Sequence, residues 1–358
     1  MSGLHFHPLR VREVRADTDD AVVVAFDVPE PLRQTFAFQP GQYLTLRHGQ
    51  GGDELRRSYS ICATPAEGLR VGVRRVEGGR FSSWLHRELA AGDTLEVMEP
   101  QGRFGSALAT SAGPRHLLCV AGGSGITPIL SIVKTVLDGE PGSRITLLYG
   151  NRNAASTMFK EELEDLKNRH LTRLALHPVF SREQVDSPLN AGRLDRARMA
   201  EFMRLIGPAT VDEAFVCGPH GFNDEVEAAL AEAGLPASRV HIERFGVPPA
   251  ADDPRLHAPR EGDATTARIG VVRDGLTREV GFLPTDESIL AAAARAGMDV
   301  PYSCKSGVCS TCRAKLLEGQ VRMDRNFALE KADLEAGFIL TCQAHPLTER
   351  VLISFDHR

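Results

Sequence analysis

The sequence predicts a multidomain chain: an antiparallel β-barrel or sandwich, then an α/β domain on a parallel sheet, then a smaller α+β domain. Three observations predict it. Residues 5 to about 105 hold many short β-branched runs punctuated by Gly, Pro and Asp. From about residue 114, apolar strands alternate with helical runs. A stretch at 246–266 rich in Pro, Asp and Ala then precedes a last segment that carries four of the seven cysteines.

In the first region, VVVAFDVP (22–29), YLTLR (43–47), RSYSIC (57–62) and LRVGVRRV (69–76) read as strands. One helix interrupts them, SSWLHRELAAGD (82–93), with Ser82 as its cap and Gly92 as its stop. In the second region HLLCVAG (116–122) runs through a glycine turn into the helix ITPILSIVKTVL. RITLLYG (144–150), the helix AASTMFKEELEDLKNRH, LALHPVFS, a helical run near 195–206, EAFVCGP and NDEVEAALAEAG continue the alternation. Connections of that length join parallel strands. The last region opens with a hairpin, ARIGVVRDGLTREVGF, followed by the helix ESILAAAARAG and a cysteine loop. The expected domains are 1–110, 111–246 and 267–358, with a linker at 247–266.

Composition narrows the classes. Hydrophobic residues make up 42% and charged residues 25%, which suits a folded chain. The net charge is -5 and no dense Lys/Arg run occurs, so no nucleic-acid partner is expected. No apolar run is long enough for a membrane span, and MSGLHFHPLRVREV lacks the apolar core of a signal peptide. A cytoplasmic location follows, where disulfides are uncommon and the cysteines need another explanation.

Cys304, Cys309, Cys312 and Cys342 spell C-x4-C-x2-C…C, the plant-type [2Fe–2S] spacing. Each iron takes two thiolates, and sulfur acceptors need backbone N–H donors. Ser303, Ser306 and Gly307 let the loop fold tightly around such a cluster, and Cys342 arrives from the strand FILTCQA. Buried free thiols or zinc are the alternatives, although zinc favours two C-x2-C knuckles and one is present here.

Arg57, Tyr59 and Ser60 form an R-x-Y-S pattern on a predicted strand. A flavin needs a cation for phosphate, an aromatic surface for its ring and a donor near N5, and these residues supply the three. Alone, such a pattern more often marks packing and a solvated cation. Gly79, Phe81, Ser82 and Ser83 enter the helix that follows, and helix N-terminal amides bind diphosphate. The two elements together, ahead of a nucleotide domain, point to a flavin site.

Gly122, Gly123, Gly125, Thr127 and Pro128 follow an apolar strand and open a helix, as a dinucleotide pyrophosphate turn requires, although the G-x-G-x-x-G form is absent. Cys217, Gly218 and Pro219 end another strand, where ligands gather in open α/β sheets, and Cys217 is expected to face the nicotinamide. A buried core cysteine is the alternative. Arg152, Ser181 and Arg182 end two further strands. A hydroxyl and a cation suit a 2′-phosphate, and no acidic residue is expected at that strand end to prefer a 2′-hydroxyl, so NADPH is expected ahead of NADH.

The order R-x-Y-S, G-G-x-G-x-T-P, C-G-P and C-x4-C-x2-C…C resembles the ferredoxin–NADP reductase superfamily fused to a plant-type ferredoxin domain. The resemblance covers nearly the whole chain. It implies a flavin-binding β-barrel, a nucleotide α/β domain and a β-grasp ferredoxin domain, with FAD as the flavin. It further implies that Phe245, in HIERFG, lies against the flavin and that Glu243 lies near the active site. Within the superfamily the segments FHPLRVREVR, RRSYSIC, SCKSGVCSTCRAKL and VRMDRNFALE resemble the reductase components of phenylacetyl-CoA epoxidase systems. Reductases of steroid-ring hydroxylases share the domain order.

These readings imply an NAD(P)H-dependent reductase with Ser60, Cys217 and Glu243 at the catalytic centre. It supplies single electrons to the oxygenase component of a multicomponent monooxygenase, with a linker that lets the ferredoxin domain dock. Acidic and basic side chains are about balanced over 267–358, so electrostatic steering to the partner is expected to be modest. A ring-hydroxylating dioxygenase, a steroid hydroxylase or a hybrid-cluster protein is the alternative client. A redox sensor without turnover, or a zinc module, is the alternative of a different class.

Overall fold

The structure is a computed structural model that describes residues 4–49, 54–110, 113–246 and 256–357. Much of the expected linker therefore lies outside the described residues. The chain forms two compact units, one of residues 8–55 and 59–245 and one of residues 246–358 with 1–7 and 56–58.

The larger unit holds two sheets. The first has six strands: β1 (Phe6–Thr18), β2 (Ala21–Asp27), β3 (Tyr43–His48), β4 (Leu55–Ser60), β5 (Arg70–Arg74) and β6 (Thr94–Met98). Their order is β4-β3-β6-β1-β2-β5, and a bridge between Ile61 and Val71 joins the two edges into a barrel. β2 is apolar without alternation because both of its faces are covered. Val22, Val24 and Phe26 enter the barrel core, whereas Ala21 and Val23 enter the core beneath the second sheet.

Helix α1 (Arg80–Arg87) follows β5, starting two residues earlier than the sequence predicts and ending earlier too. Gly79, not Ser82, is its N-cap. The Ser82 hydroxyl instead accepts from the Val76 amide at 3.1 Å, which locks the preceding turn. Gly92 lies in the turn before β6 at φ +99°, a left-handed conformation that favours glycine.

The second sheet is parallel. Its strands are β7 (His116–Gly122), β8 (Arg144–Asn151), β9 (Leu174–Phe180), β10 (Glu213–Pro219) and β11 (Val240–Phe245), in the order β11-β10-β7-β8-β9. Helices α2 (Ile126–Gly139), α3 (Lys160–Arg169), α4 (Arg196–Ile206) and α5 (His220–Glu232) alternate with them. The chain builds outward from β7 to β9 and then returns to the other side of β7, so the topological switch point lies between β7 and β10. In doubly wound sheets ligands bind there, at the carboxyl ends of the strands.

One expected helix is shorter than its composition predicts. The run 154–170 breaks at Phe159, which adopts φ +56° as the N-cap of α3. Its amide donates to Asp17 of β1 at 3.0 Å. Its ring rests where a Cβ on Gly72 would stand, 2.8 Å away. A tertiary contact overrides local propensity.

The smaller unit is built on a mixed sheet. β12 (Ala267–Arg273) and β13 (Leu276–Phe282) form the expected hairpin. Helix α6 (Ile289–Arg295) follows, capped by the Ser288 hydroxyl, and then come β14 (Arg313–Glu318), β15 (Val321–Met323), helix α7 (Lys331–Glu335), β16 (Phe338–Leu340), β17 (Ala344–Pro346) and β18 (Arg350–Ser354). The sheet order is β13-β12-β18-β14-β16, with β12 and β18 parallel, and β15 pairs with β17. Cys342 lies in the turn after β16 rather than on a strand.

Candidate functional site

The switch point of the parallel sheet is assembled by glycines. A Cβ on Gly125 would stand 2.1 Å from the Cys217 carbonyl oxygen. The turn after β7 therefore reaches the end of β10 because residue 125 has no side chain. Gly122 and Gly218 make room for the Phe222 ring, which lies 3.2 and 2.5 Å from their notional Cβ atoms. Gly123 takes φ +54°, and its carbonyl accepts from the Tyr149 hydroxyl at 2.9 Å. Thr127 and Pro128 sit buried in the first turn of α2, and the Thr127 hydroxyl donates to the Ser124 carbonyl at 3.0 Å. The backbone of this turn is thus fixed at the start of α2.

Ser60, Glu243 and Cys217 stand around the same edge. Register pairs Cys217 with Glu243 across β10 and β11, and Pro219 with Phe245. The Ser60 hydroxyl donates to the Glu243 carboxylate at 2.9 Å. Desolvation pushes the Glu243 pKa up to about 7, opposed by the bond from Ser60. Burial, and then the nearby Glu243 charge, raise the Cys217 thiol well above its ordinary range, so it stays neutral. The three residues expected at the catalytic centre are thus brought together, and Phe245 packs against the same core.

The flavin elements also converge. The Tyr59 and Phe81 rings lie 6.1 Å apart, joining the R-x-Y-S strand to the first turn of α1. The Ser83 amide closes that turn by donating to the Gly79 carbonyl at 3.1 Å. Arg57 is exposed on β4, with its guanidinium donating to the Arg56 carbonyl at 2.8 Å. An aromatic surface beside a glycine-led helix start is part of the donor set that a flavin nucleotide needs.

The strand ends expected to select the nucleotide are less open. Arg152 is paired with Asp20 at 2.9 Å. The Ser181 hydroxyl donates to the Asn151 carbonyl at 3.2 Å, while Arg182 is exposed. An acidic residue does stand there: Glu183 accepts from the Ala154 amide at 2.6 Å.

In the smaller unit the four cysteines come together. Lys305 and Ser310 adopt φ +55° and +53°, and Gly307 φ +80°, so the loop coils in left-handed steps. The Ser306 amide donates to the Cys304 sulfur at 3.4 Å. Interaction with the Cys309 thiol holds Cys304 well below its ordinary range against the effect of burial. The Cys304 sulfur, with burial, pushes Cys309 well above its range, and Cys342, with burial, does the same to Cys312. Four close-set thiols suit a bound cationic centre, which stabilises all of them as thiolates. The donor set therefore fits a [2Fe–2S] cluster.

Comparison with known proteins agrees with this geometry. Residues 8–105 match an oxidoreductase FAD-binding domain, 119–228 an oxidoreductase NAD-binding domain and 272–347 a 2Fe-2S iron-sulfur cluster binding domain. The chain is 45% identical to a component of the 1,2-phenylacetyl-CoA epoxidase of Escherichia coli, over 98% of each protein. It belongs to the ferredoxin–NADP reductase superfamily, in the branch that carries a C-terminal 2Fe-2S domain. It is also 36% identical to the ferredoxin reductase component of 3-ketosteroid-9-alpha-monooxygenase from Rhodococcus rhodochrous, over 97% of this chain and 96% of that one. The crystal structure of phthalate dioxygenase reductase shares the fold, with a TM-score of 0.58 and 24% identity over 98% of both chains. This superfamily member is thus an oxidoreductase whose cofactors are FAD, a nicotinamide nucleotide and a [2Fe–2S] cluster.

Sequence reasoning missed one residue of this reductase's site. Asn223, fully buried in α5, donates from its side-chain amide to the Gly218 carbonyl at 3.0 Å and the Glu243 carbonyl at 3.2 Å, tying the ends of β10 and β11 together. Its place four residues after C-G-P was the available signal. Elsewhere, Asp324 accepts from His257 at 2.8 Å and His345 at 2.7 Å while facing Arg322 and Arg260. The two guanidinium groups already balance that carboxylate, so the cluster is a hydrogen-bonded clasp on the segment from His257 and has no charge deficit for a metal to fill. No helix among the described residues is long and apolar enough to cross a membrane.

Proposed function

We propose that this chain is the reductase component of a multicomponent oxygenase, that it oxidises NADPH, and that its client is an epoxidase acting on phenylacetyl-CoA in the cytoplasm. The end-to-end identity of 45% to a component of such an epoxidase carries the choice of client. The meeting of the glycine turn, Cys217, Ser60 and Glu243 at one sheet edge carries the reaction type. The domain boundaries we propose are 1–110, 111–246 and 267–358, joined by a linker at 247–266.

When bound, FAD and the cluster supply the conversion of a two-electron hydride donor into single-electron deliveries. The protein's residues align and insulate that chemistry. The amides around Gly122, Gly123 and Gly125, with Thr127 and Pro128 behind them, hold the nucleotide diphosphate. Cys217, Gly218 and Pro219 offer a small, uncharged wall to the nicotinamide, because the Cys217 thiol remains protonated. Ser60 relays a proton to and from Glu243, whose pKa of about 7 suits exchange near neutrality. Arg57, Tyr59, Gly79, Phe81, Ser82 and Ser83 bind the flavin nucleotide, and Phe245 covers its ring. Cys304, Cys309, Cys312 and Cys342 are the cluster ligands.

Ser181 and Arg182 support NADPH over NADH, since Arg182 is exposed at the end of β9 and the adjacent Glu183 is engaged by an amide. Reduction of ferricyanide measured with NADPH and with NADH tests this point. Turnover of phenylacetyl-CoA with a purified epoxidase, but not with a ring-hydroxylating dioxygenase, tests the client.

A further inference from the structure

The residue after the last cysteine is a glutamine, Gln343. Gln343 is fully buried. Its side-chain nitrogen carries two hydrogens for three acceptors, the Lys305 carbonyl at 3.0 Å, the Cys342 carbonyl at 3.0 Å and the Cys342 sulfur at 3.5 Å, so the hydrogen turned to Cys342 is shared between that residue's carbonyl and its sulfur. All three neighbours are acceptors, so the amide cannot be flipped without losing every contact. Its Oε1 has no partner among the described residues. The backbone is fixed as well: the Gln343 amide donates to the Leu340 carbonyl at 2.9 Å and its carbonyl accepts from the Asp324 amide at 2.9 Å. A Cβ on Gly307 would stand 3.3 Å from the Gln343 side chain, so the cysteine loop is shaped around it.

We propose that Gln343 is a positioning residue of the [2Fe–2S] centre, which clamps the cysteine loop to Cys342 and raises the reduction potential by donating a hydrogen bond to the Cys342 sulfur. The physical argument is electrostatic. Reduction adds negative charge that spreads onto the ligand sulfurs, and a fixed N–H aimed at one of them favours the reduced state. The leftover buried Oε1 is the cost of keeping the nitrogen on the sulfur side. The inference rests on assigning the cluster to the four thiols.

The test uses the holoprotein and its Gln343→Met variant, which keeps the side-chain length and removes the donor. EPR-monitored redox titration should give a lower midpoint potential in the variant. Poised at the wild-type midpoint, its reduced-to-oxidised ratio should fall by at least about threefold, as loss of one ordinary hydrogen bond implies. A fully loaded variant with an unchanged midpoint overturns the proposal. Should the variant fail to assemble a cluster, pulsed EPR of the reduced wild-type protein with glutamine side chains labelled with ¹⁵N decides. A resolved ¹⁵N coupling supports the proposal, and its absence overturns it. A wild-type protein with no reduced-cluster signal at all would instead strike the cluster assignment beneath it.

Discussion

Glu243 stands where two opposing influences on a carboxyl group can be separated. Desolvation favours the neutral acid, and the hydrogen bond from Ser60 favours the carboxylate. Burial wins, and the pKa rises from 4.5 to about 7. A carboxyl whose pKa is raised on folding contributes stability that is fully present below the unfolded pKa and lost as pH rises through the folded value. The Tm of the wild-type protein should therefore fall relative to that of Glu243→Gln between pH 5 and pH 8, as read by differential scanning calorimetry. The rate of flavin reduction should show an ionisation near pH 7 that is missing in Glu243→Gln, and stopped-flow absorbance at 450 nm checks it. Gly125 provides a second test at this scale. Gly125→Ala would set a methyl 2.1 Å from the Cys217 carbonyl, and backbone on both sides must shift. We expect a loss of about 1–3 kcal/mol in stability and a KM for the nicotinamide nucleotide raised about tenfold or more. Gly139→Ala, with open space around it, should change neither.

At the scale of elements, β5, α2 and α3 are tied by a compact charge cluster. Lys134 of α2 is buried and pairs with Glu67 and Glu162, and Glu162 also accepts from Arg70 at 2.8 Å. Two cations meet two carboxylates, Glu67 exposed and Glu162 half-buried, so removing Lys134 leaves Glu67 to solvent and Glu162 with Arg70 alone. Lys134→Met should lower stability by about 1–3 kcal/mol, measured by urea unfolding, and adding Glu162→Gln should recover part of it. This cluster was not legible in the sequence, because its members are far apart in the chain and each suits a solvated surface. Where periodicity and punctuation are local, the elements were legible. β7, β10 and the 267–282 hairpin fall where their apolar runs and glycines put them. The glycine turn and the cysteine spacing were legible for the same reason, since the chemistry they serve demands particular residues at short spacing. Failures occurred where a distant partner decides. Asp17 and Gly72 break the helix expected at 154–170, and the Val76 amide takes the hydroxyl expected to cap α1. Asp20 pairs with Arg152, a residue expected to meet the nucleotide, and leaves it half exposed.

At the scale of the whole molecule, the two units divide the labour. The larger unit carries the nicotinamide elements and every flavin element but Arg57, which falls with the four cysteines in the smaller. Damage to one set should therefore leave the other in place. Cys304→Ser should lose the cluster yet keep NADPH-driven reduction of ferricyanide, while reduction of cytochrome c, which draws on single electrons from the cluster, falls steeply. The central claim is that electrons enter from a nicotinamide nucleotide and reach a two-iron centre in the same chain. Anaerobic titration of the purified protein with NADPH, followed by low-temperature EPR and by iron, acid-labile sulfide and flavin analysis, tests it most directly. The account predicts one flavin, two irons and two sulfides per chain, with the signal of a reduced [2Fe–2S] cluster appearing on NADPH addition. A protein that holds zinc without acid-labile sulfide, or whose cluster stays oxidised under NADPH, would contradict it.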